Sequence, residues 1–276
     1  MNRSSIKYEA RSLIIAAKPK PMLVSTVYVI VLAVVSFLSF QLFGRYIAAF
    51  MQSFMQSFDL SDPSKLSEAL NKFYASVDPE NLMYEFSKAL PPVSNRILYG
   101  LLIAASLIVG VGFVIFSMNL ERGTEPVLGN LFDGFGHLLR LLVLFVLEML
   151  FISLWSMLFF FPAIIAFYRY RLALYLLLER PELSPMQCIL ESSRLMKGHK
   201  TELFLLDLSF IGWFLLVFIL NTFGAASGLE LFSVVGLGYI AYVPLLPYMH
   251  LSWLLFYRKL CPAEKITDAD AFLPEL

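Results

Sequence analysis

The sequence predicts an all-α fold: a polytopic transmembrane bundle of six spans, with cytoplasmic interfacial amphipathic helices and a small extracytoplasmic helical cap. Two observations carry this prediction. Of the 276 residues, 59% are hydrophobic and 15% are charged, against about 45–50% and about 25% in soluble domains, and the mean hydropathy is +0.74. The apolar residues also form long uncharged runs, each near the roughly 20 residues that a bilayer requires. This composition excludes a disordered chain, a disulfide-stapled secreted domain and an ordinary soluble enzyme.

Four of these runs predict spans directly. Residues 21–44 and 97–120 carry no charge, and the runs 208–229 and 231–257 are separated only by Glu230 in a short turn.

The stretch 141–179 allows two interpretations. Before the terminal Glu179, its charged residues are Glu148, Arg169 and Arg171, and Pro162 lies near its middle. It forms either one span or a tight hairpin of two spans that turns at Pro162, since a helix rise of about 1.5 Å per residue makes it long enough to cross twice.

The distribution of charge favours the hairpin. Segment 1–20 has five basic residues and one acidic residue, and segment 180–200 has five basic residues, His199 included, against two acidic ones. Both are therefore expected in the cytoplasm by the positive-inside rule. The loop 45–95, with six acidic and four basic residues, follows the first span on the far side. Only two crossings within 141–179 return segment 180–200 to the cytoplasm.

We therefore predict a single integral membrane domain over residues 1–276, with both termini in the cytoplasm. The predicted spans are residues 21–44, 96–119, 141–161, 162–180, 203–222 and 233–257. The other predicted segments are a cytoplasmic amphipathic helix (1–20), the extracytoplasmic cap (45–95), an interfacial helix (124–140), a basic interfacial helix (184–200) and a cytoplasmic tail (258–276). An amphipathic segment thus precedes each of three pairs of spans, which suggests an internal repeat.

The basic interfacial helix has clear boundaries in the sequence. Ser184 and Gln187 have the spacing of a capping box, and Gly198 ends the pattern. Its cations suit the anionic inner leaflet or a protein partner. The candidates for contact with lipid headgroups or a partner are Arg194, Lys197 and Lys200.

Four charged residues fall inside or beside apolar runs: Glu148, Arg169, Arg171 and Asp207. A charge within a bilayer is costly, so such side chains face the bundle interior and seek partners. They line a substrate or proton pathway, or else Glu148 and Arg171 form a structural ion pair that locks the hairpin.

The sequence has no recognisable catalytic motif. Nucleotide-binding glycine loops, zinc-protease motifs and serine-hydrolase elbows are absent, and the three histidines are far apart. We expect no catalytic residue, no cofactor and no metal. Cys188 and Cys261 both fall at predicted cytoplasmic positions, which favours reduced thiols. A net charge of +0 argues against nucleic acid as a partner.

The C-terminal half also resembles a known family. The runs SSRLMKGHK (192–200) and LDLSFIGW (206–213), with PY at 247–248 and FY at 256–257, resemble the bacterial integral-membrane family called domain of unknown function 975. The likeness covers residues from about 125 to 260. That family is itself distantly similar to the membrane domain of glycerophosphodiester phosphodiesterases, whose catalytic barrel this chain lacks, so no such activity is implied. The resemblance implies the fold and the location, and no mechanism.

These observations together favour a non-enzymatic multi-pass protein of the bacterial cytoplasmic membrane, acting as a transport component or as an accessory to an envelope partner. The alternative is a membrane-embedded lipid-handling protein or enzyme that uses the intramembrane carboxylates and arginines. The expected partners are the bilayer, anionic phospholipid headgroups, and a membrane protein or a second copy of the chain.

Overall fold

The all-α prediction is confirmed by a computed structural model. It describes residues 3–17, 20–44, 46–49, 51–52, 90–124, 127–158, 160–226 and 236–261, and these ranges contain helices and no strand. The α-helices are α1 (Arg3–Ala16), α2 (Lys20–Ser39), α3 (Val93–Glu121), α4 (Leu138–Leu158), α5 (Phe160–Tyr170), α6 (Ala173–Glu179), α7 (Pro185–Leu195), α8 (Lys200–Leu208), α9 (Ile211–Ala226) and α10 (Tyr239–Leu260). A π-helical turn, Phe40–Gly44, extends α2, and a 3₁₀ helix, Leu128–His137, precedes α4.

Several of these helices have the length and apolarity of membrane spans. In the part of the chain that the structure describes there are five: Lys20–Gly44, Val93–Glu121, Leu128–Met157, Phe161–Glu179 and Tyr239–Leu260. A sixth is obtained when α8 and α9, which meet at a bend of 42°, are taken together as one broken span.

The predicted segment 141–179 is divided into helices at two places. Helix α4 ends at Leu158, and α5 packs along it over an extensive contact. A turn at residues 171–172 then separates α5 from α6. The chain therefore runs back along itself within this stretch, and the second helix of the pair is broken near Arg171.

Two compact units are present: one comprises Met1–Ile30 and Leu107–Leu276, and the other Val31–Ser106. In the first, α1 packs along α10 and buries Ile6, Ala10 and Ile14. In the second, Asn95 Nδ2 donates to the Leu42 carbonyl at 3.4 Å. Most of the predicted cap, 45–95, lies outside the described residues, as do 262–276 of the predicted tail.

Helix α10 keeps two prolines, and α2 compensates for one of them. Pro247 has no N–H, so the carbonyl of Val243 loses its helical donor. The Ser25 hydroxyl of α2, which is fully buried, donates to that carbonyl at 2.6 Å. Such a neighbouring hydroxyl is the usual way in which apolar surroundings tolerate a proline in a helix.

Helix α7 begins as its sequence predicts. The Ser184 hydroxyl accepts from the Gln187 N–H at 3.3 Å, and the Gln187 side chain accepts from the Ser184 N–H at 2.8 Å. The helix ends at Leu195, earlier than position 200, and Gly198 takes a φ of +89° in the turn that follows. The segment predicted as an interfacial helix at 124–140 is instead the 3₁₀ helix followed by the start of α4.

Candidate functional site

Two of the four predicted polar residues, Glu148 and Arg171, line the same cavity. It has a volume of about 420 Å³ and lies between α4, the α5–α6 break, α3 and α10. Glu148 lies in the middle of α4, and Arg171 is the first residue of the break. His250 and Trp253 of α10 also line it, and the remaining lining consists of two tyrosines and of apolar side chains.

Glu148 and Arg171 do not form a direct ion pair. No described cation lies within 4.0 Å of the Glu148 carboxylate, and both charged groups face the shared space. The Arg171 guanidinium instead stacks on aromatic rings, with its central carbon 4.3 Å from the Trp253 ring centre and 5.1 Å from that of Phe167. Cation–π contacts of this kind stabilise a guanidinium without neutralising its charge.

Asp207 does not line the cavity but contacts Trp253, which does. Its carboxylate accepts a hydrogen bond from the Trp253 indole N–H at 2.7 Å and one from the Tyr168 hydroxyl at 3.0 Å. Both donors are neutral, so they satisfy the hydrogen-bonding capacity of Asp207 without compensating its negative charge. Its role in this geometry is to fix the Trp253 ring on which Arg171 stacks.

His250 is a cavity residue that sequence reasoning did not select. Its Nδ1 atom is buried with no described hydrogen-bond partner. The imidazole packs edge-on against Phe113 and Trp253, with ring centres 5.0 and 5.2 Å away. The sequence did hold a clue, because positions 250 and 253 are three residues apart and so lie on one face of a helix.

Arg169, the fourth predicted residue, lies elsewhere. It lines an open cleft with Arg194, Lys197 and Lys200, the three cations that the sequence marks as contacts for lipid headgroups or a partner. The structure thus separates Arg169 from Glu148 and Arg171, although one residue lies between the two arginines in the sequence.

The structure also contains a buried ionic cluster at the ends of three helices, which the sequence did not predict. The Glu179 carboxylate, with 2% of its side chain exposed, accepts from Arg258 at 2.7 and 2.9 Å, from Arg122 at 2.7 Å and from the Tyr257 hydroxyl at 2.8 Å. Arg258 also binds Glu121 at 3.1 Å. In the sequence these residues resemble the ordinary charges that flank membrane spans, and only the fold brings them together.

The described residues form neither a disulfide between the two cysteines nor a cluster suited to a metal ion. Both Cys188 and Cys261 are free and buried. Burial raises the pKa of the Cys188 thiol, although the nearby Arg140 partly opposes this. No group of three His, Cys, Asp or Glu side chains within the described ranges is arranged to hold a metal ion.

Comparison with known families finds a match over the C-terminal part of the chain. Residues 161–264 match the family described as "Protein of unknown function (DUF975)". The chain is similar to this family over these residues, which are less than half of its length. This is the family that the sequence runs at 192–213 resemble. The matched residues include α5 from position 161 onward and helices α6 to α10, and so contain Arg169, Arg171 and Asp207, while Glu148 precedes them. No curated protein and no solved structure matches the chain.

Proposed function

We propose that this chain is a non-enzymatic multi-pass protein of the bacterial cytoplasmic membrane that acts as a transport component. It binds a small ligand carrying both charges in the cavity lined by Glu148 and Arg171. The long apolar helices support a membrane location. The basic segments 1–20 and 180–200 support a topology with both ends of the chain in the cytoplasm.

The observation that carries this proposal is the unpaired arrangement of Glu148 and Arg171. An isolated charge in apolar surroundings is expensive, so a structural pair is normally in direct contact and fully hydrogen-bonded. This chain builds such a pair at Glu179 and Arg258, with contacts of 2.7 and 2.9 Å. Glu148 and Arg171 instead line a cavity with a volume of about 420 Å³ and make no direct contact with each other.

The chemistry of the cavity defines the class of ligand. A cationic group would meet Glu148, an anionic group would meet Arg171, and the aromatic and aliphatic walls suit an apolar body between them. The buried His250 Nδ1 offers a further hydrogen bond.

The apolar side chains at the opening of this cavity favour a second candidate function, lipid handling. Met149 and Phe167 line the cavity while 73% and 41% of their surface is exposed. An acyl chain that leaves the cavity there would pass over apolar side chains into the bilayer. An enzyme using Glu148, Arg171 and Asp207 remains the alternative to both binding roles.

The variant Glu148→Gln tests the proposal. Because no described residue pairs with Glu148, we expect the folded yield and melting temperature of wild type and loss of the bound molecule. The measurement is native mass spectrometry of full-length protein released from membrane vesicles, followed by extraction to identify the mass. A soluble zwitterion supports transport, and a lipid supports the second candidate.

The matched control is Glu182→Gln, an exposed carboxylate outside the cavity, which should retain the molecule. Unfolding of Glu148→Gln alone would make Glu148 a structural group. A wild-type protein without any bound molecule, or equal occupancy in all three proteins, would also contradict the proposal.

A further inference from the structure

Four cations, Arg169 and three from residues 194–200, line one cleft. Arg169 comes from the end of α5, Arg194 from α7, Lys197 from the following turn and Lys200 from the start of α8. The cleft encloses about 410 Å³ and is open to the outside of the molecule. Ser193 and Leu190 complete its wall. We call these six residues the basic cleft.

The fold holds Arg169 in this place through a buried hydroxyl. Ser192, which has no exposed surface, donates to the Arg169 carbonyl at 2.9 Å and accepts from the Leu172 N–H at 3.2 Å. These are backbone groups that the break between α5 and α6 leaves without helical partners. One side chain of α7 therefore satisfies the break and places Arg169 beside the cations of α7 and α8.

The positive charge of the basic cleft is barely compensated. Within the described ranges, no carboxylate forms an ion pair with Arg169, Lys197 or Lys200. Arg194 reaches Glu191 only at 3.5 Å, and Glu202, which is close in sequence, is engaged by His199 at 2.8 Å. Four converging cations with one described ion pair among them, at 3.5 Å, favour an anion with several acceptor oxygens, of which phosphate is the standard example.

The apolar side of the basic cleft indicates that this phosphate is attached to a lipid. Leu190 lines the cleft with 49% of its surface exposed, and Met186, one helical turn earlier on α7, is 41% exposed. A soluble phosphate would gain nothing from these side chains. An anionic phospholipid places its phosphodiester among the cations and its upper acyl region against Leu190 and Met186.

We infer that the basic cleft is a specific binding site for the phosphate group of an anionic phospholipid. The site is separate from the Glu148 cavity and does not depend on the function proposed for it. It assigns Arg169, which the sequence places among the intramembrane charges, to lipid recognition at the membrane surface.

The test compares Lys197→Gln/Lys200→Gln with wild type and with the matched double variant Lys20→Gln/Lys259→Gln. The latter removes two exposed lysines outside the cleft. Purified full-length protein in neutral detergent is titrated with phosphatidylglycerol, phosphatidylcholine or inorganic phosphate, and binding is followed by native mass spectrometry. We expect wild type and the control to prefer phosphatidylglycerol to phosphatidylcholine. The cleft variant should bind phosphatidylglycerol about 25-fold more weakly, at about fivefold for each lysine.

Two further variants distinguish a loss of binding caused by the missing lysine charges from one caused by misfolding. Lys197→Gln alone alters an exposed side chain without an ion pair in the described ranges, so it should fold and lose about fivefold. Lys197→Arg/Lys200→Arg should restore binding. Equal loss in cleft and control variants would reduce the effect to general surface charge and overturn the site. Binding of inorganic phosphate as tight as that of phosphatidylglycerol would overturn the lipid as its source, and unchanged binding in the cleft variant would overturn both.

Discussion

At the scale of single residues, this chain stabilises buried carboxylates in three different ways. Glu179 is neutralised by two arginines and a tyrosine, and Asp207 is solvated by two neutral donors. Glu148 has neither and faces a cavity. The contrast matters because a group that is already satisfied serves the fold, whereas an unsatisfied one is available to a ligand.

Glu179→Gln should destabilise the protein strongly. Removing this charge leaves Arg258, whose side chain is 14% exposed, with Glu121 as its remaining described carboxylate. Breaking a buried pair in this way costs about 3–5 kcal/mol. The measurement is the free energy of unfolding in detergent, with the exposed Glu182→Gln as a control that should stay within about 0.5 kcal/mol of wild type. A melting temperature for Glu179→Gln equal to that of the control would show that the cluster is not structural.

The sequence selects individual charges well but not their partners. Glu148, Arg171 and Asp207 are conspicuous because each interrupts an apolar run, and the fold brings them to one region. The pairing of Glu179 with Arg258 could not be predicted, because charges are common at the ends of spans. The two residues are also 79 positions apart in the sequence. Arg169 and Arg171 look equivalent in sequence, yet the helix break sends them to different sites.

At the scale of elements, a sequence pattern predicts a helix boundary when neighbouring residues determine that boundary. The start of α7 follows from Ser184 and Gln187, because a capping box involves only four consecutive residues. The 3₁₀ helix Leu128–His137 does not follow from its periodicity, because its backbone is set by close packing against α3. A Cβ atom on Gly112 of α3 would overlap the backbone of Leu131, and one on Gly134 would overlap the carbonyl of Ile108.

Gly112→Ala should therefore disturb the contact between α3 and the 3₁₀ helix. The added methyl group meets backbone atoms that cannot rotate away, so we expect a loss on the order of 2 kcal/mol or more. Gly100→Ala on the same helix is the matched control, since a Cβ there meets nothing within 4 Å. The control should be neutral or more stable by about 0.5–1 kcal/mol, because alanine favours the helix. Thermal unfolding in detergent distinguishes the two, and similar melting temperatures would contradict the close packing.

At the scale of the whole molecule, the side of the membrane on which the basic cleft lies depends on how often the chain crosses between α3 and α7. Two crossings, by α4 and by α5 with α6, place the segments before and after this hairpin on one side. They also place the basic cleft on the cytoplasmic side, where anionic lipid and the positive-inside rule require it. A single crossing would put the cleft outside and separate the cavity walls.

The native cysteines are poor reporters of this arrangement. Cys188 has no exposed surface and Cys261 only 4%, and burial raises the pKa of the Cys188 thiol, which lowers the fraction of reactive thiolate. Protection of these thiols in intact cells would reflect packing as much as topology. Both are best replaced by alanine before new cysteines are introduced at exposed positions.

The most direct test is therefore maleimide labelling of three single-cysteine variants in intact and permeabilised cells. Pro92→Cys precedes α3, Thr124→Cys follows it, and Glu182→Cys lies between α6 and α7; all three positions are exposed. A membrane-impermeant maleimide should label position 92 in intact cells, and positions 124 and 182 only after permeabilisation. Labelling at 182 with protection at 124 would show a single crossing, and would contradict the hairpin and the cytoplasmic basic cleft together.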